Sequence, residues 1–217
     1  GGVPPPPPGG GAAARVRFCY RLGTLLNLHQ ERTTELMMAK GIQAALKVLR
    51  QQTDDMTIRR SHGEAWQDCK EHTSFALVDY TCAENIIHLP SHYDVFIELV
   101  DISTTSKGPT GSYAGLGYGQ NYDYGRVHDL IQAMLNDAAQ ALETVLIEQN
   151  FFYKSNRESG LIAHAKLNLV KDGAFLKLRE AIQSSGTDPS QYKVPRRLAH
   201  KEHRDLFHHS TLKRSCH

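Results

Sequence analysis

From Arg126 onward the apolar residues Val127, Leu130, Ile131, Met134, Ala138, Ala141, Leu142 and Val145 recur every three or four positions, which gathers them on one face of a helix. The pattern predicts a helix running to about Gln149. A second helix is predicted from Thr33-Thr34-Glu35, a hydroxyl cap with an early acid, through Met38, Ile42, Ala45, Leu46 and Leu49 to about Gln51. Two strongly β-prone runs, residues 75–81 and 93–100, flank a turn containing Pro90 and Ser91 and predict the central strands. Shorter strands are expected at 15–22 and 24–28, on either side of Gly23, and a further strand at 163–170. Phe175, Leu178 and Ile182 return to helical spacing over 173–183, and Pro195 interrupts regular structure beyond.

The predicted order is β-β-α-β-β-α-β-α. Strands and helices alternate too irregularly for repeated βαβ units, so the fold class is α+β, a mixed sheet with helices packed on one face. Residues 52–73 are polar, with a short helical pattern at 64–69, and 103–125 are dense in Gly, Ser and Tyr without periodicity, as expected of a surface loop or insertion. The chain divides into a low-complexity segment (1–14), an entry and hinge segment (15–32), a main α+β domain (33–200) carrying the insertion 103–125, and a tail (201–217).

Composition narrows the function classes. The chain has 217 residues, 40% apolar and 22% charged, enough for one large or two small cores. Its 25 basic and 23 acidic residues are interspersed, which argues against a nucleic-acid partner. No stretch approaches the ~20 apolar residues of a membrane span. The four cysteines, Cys19, Cys69, Cys82 and Cys216, are widely spaced and read as reduced thiols, so a cytoplasmic setting is expected. The start lacks an initiator Met and a secretion signal and holds five consecutive prolines; it reads as a fragment or an unusual gene product.

Four ordered stretches carry a family resemblance. They are Phe18-Cys19-Tyr20-Arg21-Leu22 with Leu25-Leu26-Asn27-Leu28 and Thr33-Thr34-Glu35; Leu77-Val78-Asp79-Tyr80-Thr81 with His92-Tyr93-Asp94-Val95-Phe96-Ile97-Glu98; residues 160–163 and 170–175; and Ser190-Gln191-Tyr192-Lys193-Val194-Pro195-Arg196. Over residues 15–200 they resemble the carboxy-terminal portion of the Gretchen Hagen 3 family, the plant acyl-acid amido synthetases and their animal domain-containing relatives. The Gly/Tyr-rich insertion and the divergent end place the animal branch nearer. The resemblance implies the small C-terminal domain of an adenylate-forming acid–amino acid ligase, with ATP and Mg as cofactors and a carboxylic acid and an amino acid as substrates. The family's Ser/Gly/Thr-rich phosphate loop and acidic nucleotide motifs belong upstream of Phe18, in a large domain that would be the partner of this chain.

Within that resemblance Lys193 is the catalytic candidate, because a lysine on a small mobile domain can bring positive charge to an α-phosphate and acyl oxygen as negative charge develops there. By residue type alone the commoner reading is a solvated lysine beside a proline turn. Arg196 and Arg21 are the nucleotide-binding candidates, Arg196 alternatively capping a turn. Gly23 is the hinge candidate, alternatively an ordinary hairpin glycine. Tyr20-Arg21-Leu22-Gly23 imitates an upstream nucleotide motif of the family, but Thr24 stands where an acid is expected. Gly115-Leu116-Gly117-Tyr118-Gly119 lacks a preceding strand and a phosphate lysine. No metal site is expected, since His200, His203, His208 and His209 have no Cys or carboxylate set to complete one. Cys82 reads as a packed thiol. A different class of reading remains beside the ligase, a non-catalytic module that keeps the fold for protein interaction.

Overall fold

The computed structural model describes residues 25–62, 75–101, 124–186, 188, 190 and 192–216, with residues 54–62, 101 and 124–130 described through their backbone. Two short antiparallel strands, β1 (Leu25–Leu26) and β2 (Thr33–Thr34), lead into the long helix α1 (Glu35–His62). Next come the antiparallel pair β3 (Phe75–Asn85) and β4 (His92–Asp101), then α2 (Tyr124–Gln149) and α3 (Phe151–Glu158). β5 (Lys166–Val170), α4 (Ala174–Ser184), α5 (Lys201–Ser210) and β6 (Thr211–Arg214) follow. The main sheet runs β3-β4-β5-β6, with β4 and β5 parallel and the outer pairs antiparallel. This is the α+β class with a mixed sheet.

The alternation of β4 sets the layers. Tyr93, Val95 and Ile97 point to one side, where they join Met38, Ile42, Ala45 and Leu49 of α1 and Leu135, Ala138, Leu142 and Leu146 of α2 in the larger core. Thr34 caps α1 as its sequence foretells, its hydroxyl accepting from the Met37 N–H at 3.3 Å. Gly41 lets α1 and α2 approach closely, since a Cβ there would meet Leu142 Cγ at 3.2 Å and the Leu142 carbonyl at 3.3 Å.

Helices cover the other side too, which corrects the expectation of a single helical face. Phe96, Val170, Ala174, Phe175, Leu178, Leu198 and Phe207 form a second core between the sheet and the α4–α5 layer. A strand whose side chains are buried on both sides requires cover on both. The expected tail is likewise part of the fold: residues 201–214 make α5, which buries Phe207, and β6, the fourth strand. The helix predicted to end at Gln51 continues to His62, and α3 has no counterpart among the predicted elements. The expectations for residues 1–23, for the helix at 64–69 and for the body of the insertion with its glycine run lie outside the described residues.

Candidate functional site

β3 is an edge strand, and an irregularity in its pairing shapes the site. Leu77 pairs with Leu99 but Asp79 pairs with Glu98, so Val78 is an extra residue, a β-bulge. The bulge switches parity. Phe75 and Leu77 before it, and Tyr80 and Cys82 after it, all pack on the α1–α2 core, while Asp79 is re-aimed at the strand edge.

Residues 195–198 lie along that edge. The Cys82 N–H donates to the Arg196 carbonyl at 3.1 Å, the Leu198 N–H donates to the Cys82 carbonyl at 2.8 Å, and the Thr81 hydroxyl donates to the Pro195 carbonyl at 2.6 Å. The side chain of Arg196 turns back along β3. Its Nη1 donates to the Asp79 carboxylate and, at 2.7 Å, to the Tyr80 carbonyl; its guanidinium stands 4.2 Å from the Tyr80 ring centre, and its Nε lies 3.8 Å from Glu35 at the start of α1. Burial works against the charge, but Asp79, Tyr80 and Glu35 outweigh it and hold the Arg196 proton more firmly than usual.

An open cleft lined by Glu35, Asp79, Lys193, Val194, Pro195 and Arg196 results. Lys193 and Arg196, two candidates read from the sequence, therefore meet in one place. They differ in commitment. Lys193 is exposed, with no ion pair or hydrogen bond among the described residues, whereas Arg196 is paired with both carboxylates of the cleft. On its other side Lys193 follows Tyr192, which is half-buried beneath Arg179 of α4 at 5.7 Å. Arg21 and Gly23 lie outside the described residues. Glu35 and Asp79 complete the cleft without having been singled out as site residues, and Tyr80 lies against Arg196 beside it; the three-residue step from Leu77 to Tyr80 in an otherwise alternating strand was the signal for the bulge that places Asp79 and Tyr80.

The remaining polar groups have local work. Asp94 is fully buried and accepts from Asn85 at 2.9 Å and Asn168 at 3.4 Å, with the imidazoles of His92 and His208 each 3.7 Å away and Arg214 at 3.9 Å. Glu98 caps α4, accepting from the Gly173 and Phe175 N–H groups, each at 2.9 Å; Gly173 has φ 78°, and its own residue type offers no capping side chain. Glu143 accepts from Tyr153 at 2.9 Å, Arg157 at 2.5 Å and the Ala165 N–H at 3.0 Å. Glu31 accepts from the Leu28 and His29 N–H groups, each at 2.6 Å, and from the Tyr93 hydroxyl, pinning a loop in which Gln30 and Arg32 take positive φ. Cys82 is wholly buried, and burial pushes its thiol up, away from nucleophilic use.

His200, His203, His208 and His209 diverge. His200 and His203 stack edge to face at 5.4 Å, His208 faces Asp94 and Arg214, and His209 bonds the Asp205 carbonyl. Among the described residues no group of three or more His, Cys, Asp or Glu is disposed to hold a metal ion, and no helix is long and apolar enough to cross a membrane.

Comparisons with known proteins agree on one family. A family model, the GH3 family C-terminal domain, matches residues 63–202. A GH3 domain-containing protein of Mus musculus is 28% identical over 194 residues, spanning 85% of this chain and 26% of its own length. The indole-3-acetic acid-amido synthetase GH3.8 of Oryza sativa subsp. indica is 25% identical over 180 residues, spanning 83% of this chain and 22% of its own. Among solved structures, a GH3.15 acyl acid amido synthetase superposes with a TM-score of 0.60 over 89% of this chain and 27% of that one, a likeness of fold at 20% identity. The chain spans about a quarter of the length of these relatives. With a family model matched over more than half of its residues, the chain belongs to the GH3 (Gretchen Hagen 3) family and carries that family's C-terminal domain.

Proposed function

We propose that this chain works as the small C-terminal part of an ATP-dependent acid–amino acid ligase in the cytoplasm, together with a large nucleotide-binding domain of the kind its family carries. In that reaction a carboxylate attacks the α-phosphorus of ATP and pyrophosphate leaves; an amino acid's amine then attacks the activated acyl carbon and AMP leaves. Negative charge gathers on the phosphate and acyl oxygens in both steps, and a cation held nearby lowers their barriers. Lys193 is the group for that role. The observation that carries the reading is its freedom among the described residues: in a cleft with two carboxylates, Arg196 is bonded or ion-paired to both, and the Lys193 ammonium pairs with neither. One uncommitted cation suits a single contact to a phosphate or acyl oxygen, with the rest of ATP and its Mg held by the large domain. Arg21 and Gly23 take the nucleotide and hinge roles in the same reading.

Isothermal titration of the folded chain with ATP and AMP tests it. Weak binding, in the millimolar range that a single charged contact supports, which Lys193→Ala weakens about tenfold, is the expected result. No heat from the folded wild-type chain would overturn it and favour an interaction module, for which the exposed Ile86, Ile87, Leu89, Phe151 and Phe152 would be the contact groups.

A further inference from the structure

We infer that Arg196 is a positioning residue: by bonding Asp79 and pairing with Glu35, it seats the 192–198 segment on the edge of β3 and keeps Lys193 from being captured by those two carboxylates. The inference deepens the proposed function, whose charge-delivering group is Lys193, and assigns Arg196 a role different from contact with the nucleotide.

Three observations carry it. The first is engagement. Both Nη1 protons are spent on the Asp79 carboxylate and the Tyr80 carbonyl, one face of the guanidinium lies against the Tyr80 ring, and Glu35 stands within ion-pair range of Nε, so the charge of Arg196 is already met by two carboxylates. The second is charge balance. Glu35 and Asp79 line the cleft that holds Lys193, and with Arg196 removed, Lys193 would be the cation lining the cleft beside two uncompensated carboxylates. An ammonium on a flexible four-carbon stem would then turn inward and pair with them. The third is mechanical. Lys193 spans two anchored points, Tyr192 beneath Arg179 of α4 and residues 195–198 bonded to Thr81 and Cys82 of β3. Arg196 binds β3 through both its backbone and its side chain, at the end of the anchored stretch nearer Lys193, while Arg197 bonds Glu84 at 2.9 Å further along, so Arg196 fixes where the bridge leaves the sheet. The bulge at Val78 completes the device by bringing Asp79 to the edge where Arg196 can reach it.

The test combines two readouts on the full chain. In Arg196→Met, hydrogen exchange at the Leu198 amide, which reports seating of the segment, is expected to quicken at least tenfold while the amides of β4 keep their protection. Unchanged exchange at Leu198 would overturn the inference. AMP titration is then run on wild type, Lys193→Ala, Arg196→Met and the double variant. A positioning residue predicts non-multiplicative losses: Lys193→Ala weakens binding about tenfold in the wild-type background and less than twofold once Arg196 is Met. Adding Asp79→Asn to Arg196→Met should restore part of the lysine's effect, because one captor is removed; Arg196→Lys, which keeps the charge, should retain most of the binding. Losses that multiply would show that Arg196 touches the anion directly and would overturn the inference. Absence of AMP binding by the wild type would count against the nucleotide reading alone, with Leu198 exchange still deciding whether Arg196 seats the segment.

Discussion

On the side of the sheet that meets α1 and α2, β4 presents Tyr93, Val95 and Ile97 to an apolar layer; on the side that meets α4 and α5, the same strand presents His92, Asp94, Phe96 and Glu98, all buried. The first layer is held by fit and area. Its buried carboxylates, Glu31 and Glu143, serve the loop before β2 and the helix α3. The second layer is smaller and pinned by directed contacts. Asp94 draws on β3 through Asn85, β5 through Asn168, β6 through Arg214 and α5 through His208, and Glu98 fixes the start of α4. Apolar packing accepts many equivalent arrangements, whereas a buried carboxylate with partners on four elements admits one.

The sharpest way to break this contrast is Asp94→Ala. Leaving Asn85, Asn168, His92 and Arg214 without their shared acceptor should cost about 3 kcal/mol of unfolding free energy, measured by urea denaturation. A loss of about 1 kcal/mol, the size of an apolar trimming such as Ile42→Val, would show that the two layers differ only in appearance. Glu98→Ala should cost about 2 kcal/mol, since two amides at the start of α4 lose an ionised acceptor, and amide exchange at Phe175 should rise with it.

The smallest effect is on pH dependence. Burial lowers the proton affinity of both His92 and His208; Asp94 opposes this at each, Lys166 and Arg214 reinforce it at His92, the Pro90 carbonyl opposes it there, and at His208 Arg214 and Arg204 reinforce it while Asp205 opposes it. Below about pH 6.5 the unfolded imidazoles therefore bind more protons than the folded ones. Stability contributed by these groups is complete above that pH and falls as the solution is acidified through it toward the lowered folded values. Melting temperatures at pH 7.5 and 5.5 should show the decline, and His208→Gln should lessen it; an unaltered decline would remove His208 from the contrast.

How far the sequence announces this molecule follows the same division. The α1–α2 layer is legible because Met38, Ile42, Leu49 and, in α2, Ala138 and Leu142 repeat with helical period, and because Tyr93, Val95 and Ile97 alternate; Leu135 and Leu146, also buried, fall outside the predicted stripe, whose Met134, Ala141 and Val145 are half-buried. The α4–α5 layer is half legible. Phe175 and Leu178 mark α4, but α5 buries Phe207 in a run of His, Lys, Arg and Asp that reads as a solvated tail. α3 escapes because Phe151 and Phe152 are exposed and periodicity has little to grip in eight residues; Asn150, which caps it by accepting from the Tyr153 N–H, is the local clue. In the candidate site Lys193 and Arg196 follow from their neighbourhood in the chain. Their meeting with Asp79 does not, because that contact closes over 117 residues and depends on a bulge.

The seating of residues 195–198 on β3 also has a temporal side. The hairpin of β3 and β4 closes over a short turn, while the Thr81–Pro195 contact waits for 114 residues to be brought round. Long closures are completed late. Until they are, the outer edge of β3 around Cys82 shows its unpaired amide and carbonyl to solvent, in a stretch of Tyr, Thr, Cys and Ala well suited to pair with another chain. The segment that carries the candidate site is therefore also the guard of this edge, and a nascent or heat-loosened molecule that has not yet docked it is the form most exposed to self-association.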